Sequence, residues 1–121
     1  MIWRMELPNA DRAVVERRKI EDYLLNESHP DGAGKAEFFY RFGFRQEQWP
    51  VLAQEILRLA RSETVSLYLP SRYGHKYILD GVIRTPSGDS AHIRTVWIVD
   101  LGKEIPRFVT AYPISPEEES R

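Results

Sequence analysis

The chain has 121 residues, 42% of them hydrophobic and 29% charged, which is typical of one globular domain. It contains no cysteine, which excludes disulfide frameworks and thiolate metal sites and fits a cytoplasmic address. The formal net charge is −1, so the overall charge does not indicate a nucleic-acid-binding protein. No apolar run approaches the length of a membrane span, and we expect no membrane association. We therefore expect a single domain over 1–121, with a core over about 7–114 and a flexible acidic tail over 115–121.

Helical periodicity dominates the first half of the chain. Apolar residues at three- and four-residue spacing predict an amphipathic helix over 16–25, and a second helix that Lys35 opens and Gly43 ends. The strongest helix is predicted over 49–61, where Leu52, Ile56 and Leu59 form one apolar stripe. We expect this stripe to pack on a sheet formed by the second half of the chain.

The periodicity changes to two residues after Ser62. Alternating β-formers predict strands over 64–69, 77–85, 91–101 and 107–114, joined by short turns. Gly81 lies within the second strand and suggests a bulge or bend there. The order of elements predicts an α+β fold, with N-terminal helices packed on a four-stranded antiparallel meander.

The segment HPDGAGK, residues 29–35, has the composition of a turn that leads into a helix. The residue before a proline avoids the helical region, and the glycines permit a tight bend. The free N–H groups of a helix start, the Lys35 ammonium and the His29 imidazole together suit a phosphate. The alternative is a capped turn that carries a surface histidine.

The remaining motifs narrow the chemistry. The histidines lack HxxxH spacing, no P-loop or GxSxG motif is present, and no carboxylate pair stands out, so we expect neither a metal nor a cofactor. Metal-free phosphodiester cleavage needs an acid or base and fixed donors around the phosphate. The residues suited to these roles are His29 as base or acid, Lys35, Arg94 and Arg107 as phosphate ligands, and the hydroxyls of Thr110 and Tyr112.

These residues also have simpler explanations. A solvent-exposed position on the sheet would explain Arg94 equally well. Cross-strand packing would explain Thr110 and Tyr112. His75 and Lys76 fall in YGHK, which we interpret as a hairpin tip that contacts a partner or nothing.

The blocks HPxGxxKA and VTAYP, with YGHKY between them, resemble an uncharacterised bacterial domain family. The resemblance extends from Leu7 to Pro113. It implies a small protein that occurs free-standing or as the C-terminal module of polymorphic toxins. The layout is also distantly similar to metal-independent ribonuclease toxins of the barnase and colicin type. That similarity implies His29, Lys35 and Thr110 as catalytic positions, with Arg94 as a further one.

Two functions follow as hypotheses. The first is a toxin-like, metal-independent ribonuclease that binds RNA and is neutralised by a small cognate protein. The second is a non-catalytic partner-binding module, such as one half of a toxin–antitoxin pair or a phage-associated accessory protein. Convergence of His29, Lys35 and Thr110 in one basic concavity would favour the first.

Overall fold

The computed structural model describes residues 4–115, with the backbone alone at Ala33, and within this range it has an α+β fold. Residues 116–121, most of the expected flexible tail, lie outside it. The helical elements come first: a 3-10 turn Ala10–Arg12, α1 Arg17–Lys19, a π-helical turn Ile20–Leu24, α2 Ala33–Arg41, a 3-10 turn Gln46–Gln48, and α3 Trp49–Ser62. The strands follow: β1 Leu67–Ser71, β2 Gly74–Arg84, β3 Ser90–Asp100, and β4 Arg107–Pro113. They pair in the order β1-β2-β3-β4, all antiparallel, which confirms the predicted meander.

Helix α3 packs across one face of the sheet. Leu52, Ile56 and Leu59 are completely buried, as the apolar stripe predicts. Gly81 in β2 lies directly beneath the helix, since a Cβ there would come within 3.0 Å of the Leu59 side chain. The predicted bulge at Gly81 is wrong: the residue pairs regularly with Ile93, and its role is to let the helix approach the sheet.

The irregularity in the sheet lies instead between β3 and β4. The register shifts between Val96 and Trp97, so that Val96 faces Thr110 while Trp97 faces Phe108. Trp97 and Phe108 are buried in the core beneath the helices. Val109 has no partner in this pairing, so the alternation of side chains along β4 is interrupted just before Thr110.

The N-terminal segment runs along the β4 edge of the sheet. Val14 forms a parallel bridge with Arg107, accepting a hydrogen bond from the Phe108 N–H through its carbonyl. This covers the first part of the β4 edge, and the chain then turns into α1. No helix within residues 4–115 is both long enough and apolar enough to cross a membrane.

Two local assignments differ from the sequence prediction. The predicted helix over 16–25 is a single α-helical turn followed by the π-helical turn, in which the Leu25 N–H donates to the Ile20 carbonyl at 2.9 Å. Strand β2 begins at Gly74, so His75 and Lys76 lie within a strand rather than at the hairpin tip. In both places the local sequence pattern does not decide the structure, because strand pairing and packing against neighbouring elements also contribute.

Candidate functional site

A cleft of about 640 Å³ opens where the π-helical turn and the HPDG loop, residues 29–32, meet β4. We call it the β4 cleft; its lining residues are Arg18, Lys19, Asp22, Tyr23, His29, Asp31, Val109 and Thr110. His29 and Thr110, predicted from opposite ends of the sequence, thus line one concavity. Its volume lies in the range usual for small-molecule sites.

The charge of the β4 cleft is balanced rather than basic. Arg18 and Lys19 are set against the carboxylates of Asp22 and Asp31. Arg18 is also ion-paired with Glu16 at 3.2 Å, at the exposed rim. The sequence hypothesis required a basic concavity, and the structure provides the convergence of residues without the strong positive charge.

Tyr23 is the residue that connects the elements of this cleft. Its hydroxyl is 2.9 Å from the Thr110 Oγ1, which makes a hydrogen bond between the π-helical turn and β4. Its ring meets the His29 ring edge-on, with centroids 5.0 Å apart. The ammonium groups of Lys19 and Lys35 lie 5.9 and 5.5 Å from the centre of the same ring. These contacts bring all three predicted catalytic residues around one phenol.

The HPDG loop is held against Tyr23 by close backbone packing. A Cβ at Gly32 would lie 2.2 Å from the Tyr23 carbonyl oxygen, so no side chain fits there. The Gly32 φ of −102° is open to any residue, so glycine is needed here for space and not for conformation. The glycine of the HPxG block therefore fixes the distance between the loop and the cleft.

The loop also fixes the state of the His29 ring. The Asp31 N–H donates to His29 Nδ1 at 3.0 Å. An imidazole nitrogen that accepts a hydrogen bond carries no proton, so the neutral ring keeps its proton on Nε2. In this arrangement His29 offers one N–H donor, and its lone pair is already engaged.

Lys35 lies beside the β4 cleft rather than in its lining. It falls in the first turn of α2 and folds back, donating from Nζ to the Asp31 carbonyl at 3.0 Å. Within residues 4–115, neither Lys35 nor Lys19 is ion-paired with a carboxylate. Both side chains instead place their ammonium groups near the Tyr23 ring.

The other predicted binding residues are separate from this group. Arg94 makes a bidentate ion pair with Asp80, with both bonds at 2.8 Å, and the hydrogen bonds that Arg94 donates to the Asp80 carboxylate raise the pKa of Arg94. Tyr112, its cross-strand neighbour, contributes to the same shift. Arg107 is held in the same way by Asp100, at 2.7 and 3.1 Å. The positive charge of each arginine is thus balanced by a carboxylate on the sheet.

His75 and Lys76 lie on β2, with β3 between them and β4. The His75 ring stacks on Tyr68 and shares a hydrogen bond with its hydroxyl. Lys76 pairs with Ile98, in the row of the sheet that also contains Arg107. The structure does not bring either residue to the β4 cleft.

No group of three or more metal-binding side chains forms anywhere in the part of the chain that the structure describes. The carboxylates of the cleft, Asp22 and Asp31, come with a single imidazole whose Nδ1 is already engaged. Besides these carboxylates the cleft offers a set of donors: the Arg18 guanidinium, the ammonium groups of Lys19 and of the neighbouring Lys35, an imidazole N–H and two hydroxyls.

Comparison with known proteins places this fold in a family. The model described as Domain of unknown function (DUF6883) matches residues 6–115. The chain belongs to this family. The predicted membership of an uncharacterised domain family is thereby confirmed, while the HPxGxxKA and VTAYP blocks as its markers stay a prediction. No curated protein matches the sequence.

The fold is also similar to a solved structure. It matches a chain of a "Contact-dependent growth inhibition toxin - immunity protein complex from Klebsiella pneumoniae 342" with a TM-score of 0.70. The match covers 84% of this chain and 99% of that chain, at 20% identity. Identity at this level establishes a shared fold for this DUF6883 domain, and a shared function is a separate question.

Sequence reasoning missed Tyr23, Lys19 and Arg18 as cleft residues. The spacing of Tyr23 from Ile20 and Leu24 fits the apolar side of the predicted helix over 16–25. Arg18 fits its solvent side, and Lys19 carries no signal of its own. A π-helical turn has no sequence signature of this kind, so only the structure shows that these side chains meet β4.

Proposed function

We propose that this domain is a toxin-type, metal-independent ribonuclease and that the β4 cleft is its active site. The observation that carries the proposal is the meeting of His29 and Thr110 in one cleft, with the Lys19 and Lys35 ammonium groups beside them. The cytoplasm, where RNA is found, is its proposed site of action.

The proposed reaction is attack of the RNA 2′-hydroxyl on the adjacent phosphorus. The bond to the 5′-oxygen breaks, the 2′-hydroxyl gives its proton to solvent, and the leaving 5′-oxygen takes a proton from solvent. The products are a 2′,3′-cyclic phosphate and a 5′-hydroxyl. The transition state gathers negative charge on the non-bridging oxygens, so fixed donors around the phosphate accelerate this step. Lys19 and Lys35 are the proposed phosphate cations, and the Thr110 hydroxyl is a proposed donor.

The geometry at His29 favours a donor role over that of base. To accept a proton at Nε2, the ring must take the other tautomer and give up its hydrogen bond from the Asp31 N–H. As it stands, the ring can donate its Nε2 proton to a phosphate oxygen without any rearrangement. We therefore propose that His29 Nε2–H donates a hydrogen bond in the transition state. The alternative to be tested is that His29 acts as general base or general acid.

Substitutions at His29 can separate the loop's structure from the chemistry. In His29→Asn the amide oxygen replaces Nδ1 as acceptor for the Asp31 N–H, but Nε2 is lost. In His29→Gln the side-chain amide approximates Nε2 and the turn acceptor is lost. We expect His29→Asn to fold normally and lose about 10²–10³-fold in RNA cleavage, as removal of a transition-state donor does. His29→Gln should retain more activity with lower stability.

The pH dependence of cleavage distinguishes the roles of His29. A base must be unprotonated, so a base role predicts that the rate falls toward acidic pH. A donor role predicts no such loss, as long as the loop stays folded. If His29→Asn cleaves RNA as fast as the wild type, His29 has neither role and the proposed site is wrong.

A second candidate function is supported by a different observation. The similar solved structure is that of a toxin–immunity protein complex, and this fold spans 99% of the matched chain. The second proposal is therefore a non-catalytic partner-binding module, one half of a two-protein pair. Folded protein without RNA cleavage, together with a stoichiometric complex with a small cognate protein, would favour it over the first.

A further inference from the structure

We infer that Tyr23 is the positioning residue of the β4 cleft, and that it holds the Thr110 hydroxyl and the His29 ring in the geometry that the reaction requires. The inference rests on the proposed function and deepens it. Neither the sequence pattern nor the family description assigns a role to this tyrosine.

The first observation is the backbone that presents Tyr23. It lies in the π-helical turn Ile20–Leu24, a rare conformation that occurs frequently at functional sites. Residues four apart lie on the same side of a helix. Arg18 with Asp22, and Lys19 with Tyr23, are such pairs, and all four line the cleft. The unusual turn thus sets the wall of the cleft that faces β4.

The second observation is the hydrogen bond at the cleft wall. A threonine hydroxyl on a strand rotates among staggered positions unless a partner selects one. The Tyr23 hydroxyl, 2.9 Å from Oγ1, is such a partner, and both residues line the cleft. Either oxygen can be the donor, so the pair can still offer one proton to a bound phosphate. Loss of the phenol hydroxyl would release the Thr110 rotamer.

The third observation is the environment of the ring. His29 packs edge-on against it at an interplanar angle of 74°, which restricts rotation of the imidazole. Lys19 and Lys35 lie within about 6 Å of the ring centre, the range of cation–π attraction. The ring therefore attracts two ammonium groups to the side of the β4 cleft. A phosphate placed there is the natural counter-charge.

A purely structural role makes a different prediction. The same hydrogen bond ties the π-helical turn to β4, and a tie of this kind contributes to stability whether or not any chemistry occurs. Tyr40 provides a matched control, because its hydroxyl donates to the Leu25 carbonyl and so ties α2 to the chain after the π-helical turn. Tyr40 is not part of the β4 cleft.

The experiment compares Tyr23→Phe, Thr110→Val, their double variant and Tyr40→Phe. Cleavage of a defined RNA is measured in EDTA as kcat and KM, beside urea unfolding. We expect Tyr23→Phe to lower kcat at least about tenfold with little change in KM, because misplacement of a reacting group acts on the chemical step. The double variant should be no slower than the slower single variant, since the two hydroxyls act as one unit. Tyr40→Phe should lose stability but keep its kcat.

The inference is overturned if Tyr23→Phe behaves like Tyr40→Phe, with reduced stability and unchanged kcat. It is also overturned if the two cleft substitutions are additive in kcat. Wild-type protein that does not cleave RNA would instead reject the proposed function. In that case NMR tests whether Tyr23 positions the two residues. Tyr23→Phe should shift the signals of the Thr110 methyl group and the His29 ring, whereas Tyr40→Phe should not. Unshifted signals in Tyr23→Phe would also reject the inference.

Discussion

Two glycines in the HPDGAGK segment provide a sharp test of the packing that builds the site. A Cβ at Gly32 would lie 2.2 Å from the Tyr23 carbonyl oxygen and 3.1 Å from its carbonyl carbon, and real Cβ atoms essentially never come closer than 3.0 Å. Both obstructing atoms belong to the backbone, so a rotamer change gives no relief. Gly32→Ala must therefore push the loop away from the π-helical turn.

We expect Gly32→Ala to lower the free energy of unfolding by about 1–3 kcal/mol, the usual cost of overpacking. Gly34→Ala is the matched control, since no atom lies within 4 Å of a Cβ at that position in α2. There alanine should be neutral or stabilise by up to about 1 kcal/mol, through its better helix propensity.

Urea unfolding of the two variants and the wild type measures the difference, and NMR of the His29 ring reports whether the loop has moved from Tyr23. The reasoning would be refuted by a Gly32→Ala variant as stable as the wild type with an unchanged His29 signal. Equal destabilisation by both substitutions would also refute it, because it would point to a general intolerance of the segment.

Three further predictions concern the scaffold. Ile56→Ala should lower the free energy of unfolding by about 2–5 kcal/mol, because Ile56 is fully buried. Val51→Ala, on the exposed side of the same helix, should lower it by less than about 1 kcal/mol. Similar losses in the two variants would mean that α3 does not pack as described. Asp80→Asn should cost about 2–4 kcal/mol, between exposed and fully buried ion pairs, because it breaks the bidentate contact with Arg94; a loss below 1 kcal/mol in urea unfolding would contradict that contact. Burial raises the pKa of the Glu55 carboxyl, but hydrogen bonds from an arginine side chain and a β2 backbone N–H outweigh it, so the net pKa is lowered. Ionised Glu55 therefore stabilises the fold above the usual carboxyl pKa, and this contribution is lost as the pH falls through the lowered pKa of the folded state. Glu55→Gln should lower the free energy of unfolding by about 1–3 kcal/mol at pH 7, and this loss should shrink below about pH 4. A loss that does not change with pH would contradict the assignment.

The fold was predictable because each half of the chain has one clear periodicity. The α3 stripe and the four alternating segments require only local pattern and short connections, and the meander follows from them. The function of Gly81 was not predictable, since a glycine in a strand looks the same whether it makes a bulge or admits a helix. That distinction depends on Leu59, which lies far away in the sequence.

The candidate site was predictable only in part. His29 and Thr110 stood out by residue type, and the β4 cleft contains both. Arg94 and Arg107 stood out for the same reason, but their partners Asp80 and Asp100 become apparent only from strand register and side-chain geometry. Tyr23 carried no chemical signal in the sequence, because its place in the cleft depends on a π-helical turn and on the close approach of Gly32.

RNA cleavage in the absence of divalent metal is the most direct test of the proposed function. Purified protein of verified fold is incubated in EDTA with total RNA, and the product ends are analysed. The account predicts fragments that end in 2′,3′-cyclic phosphate and begin with a 5′-hydroxyl, and their loss in the His29→Asn variant. Intact RNA at high protein concentration across the pH range in which the fold is stable would contradict it.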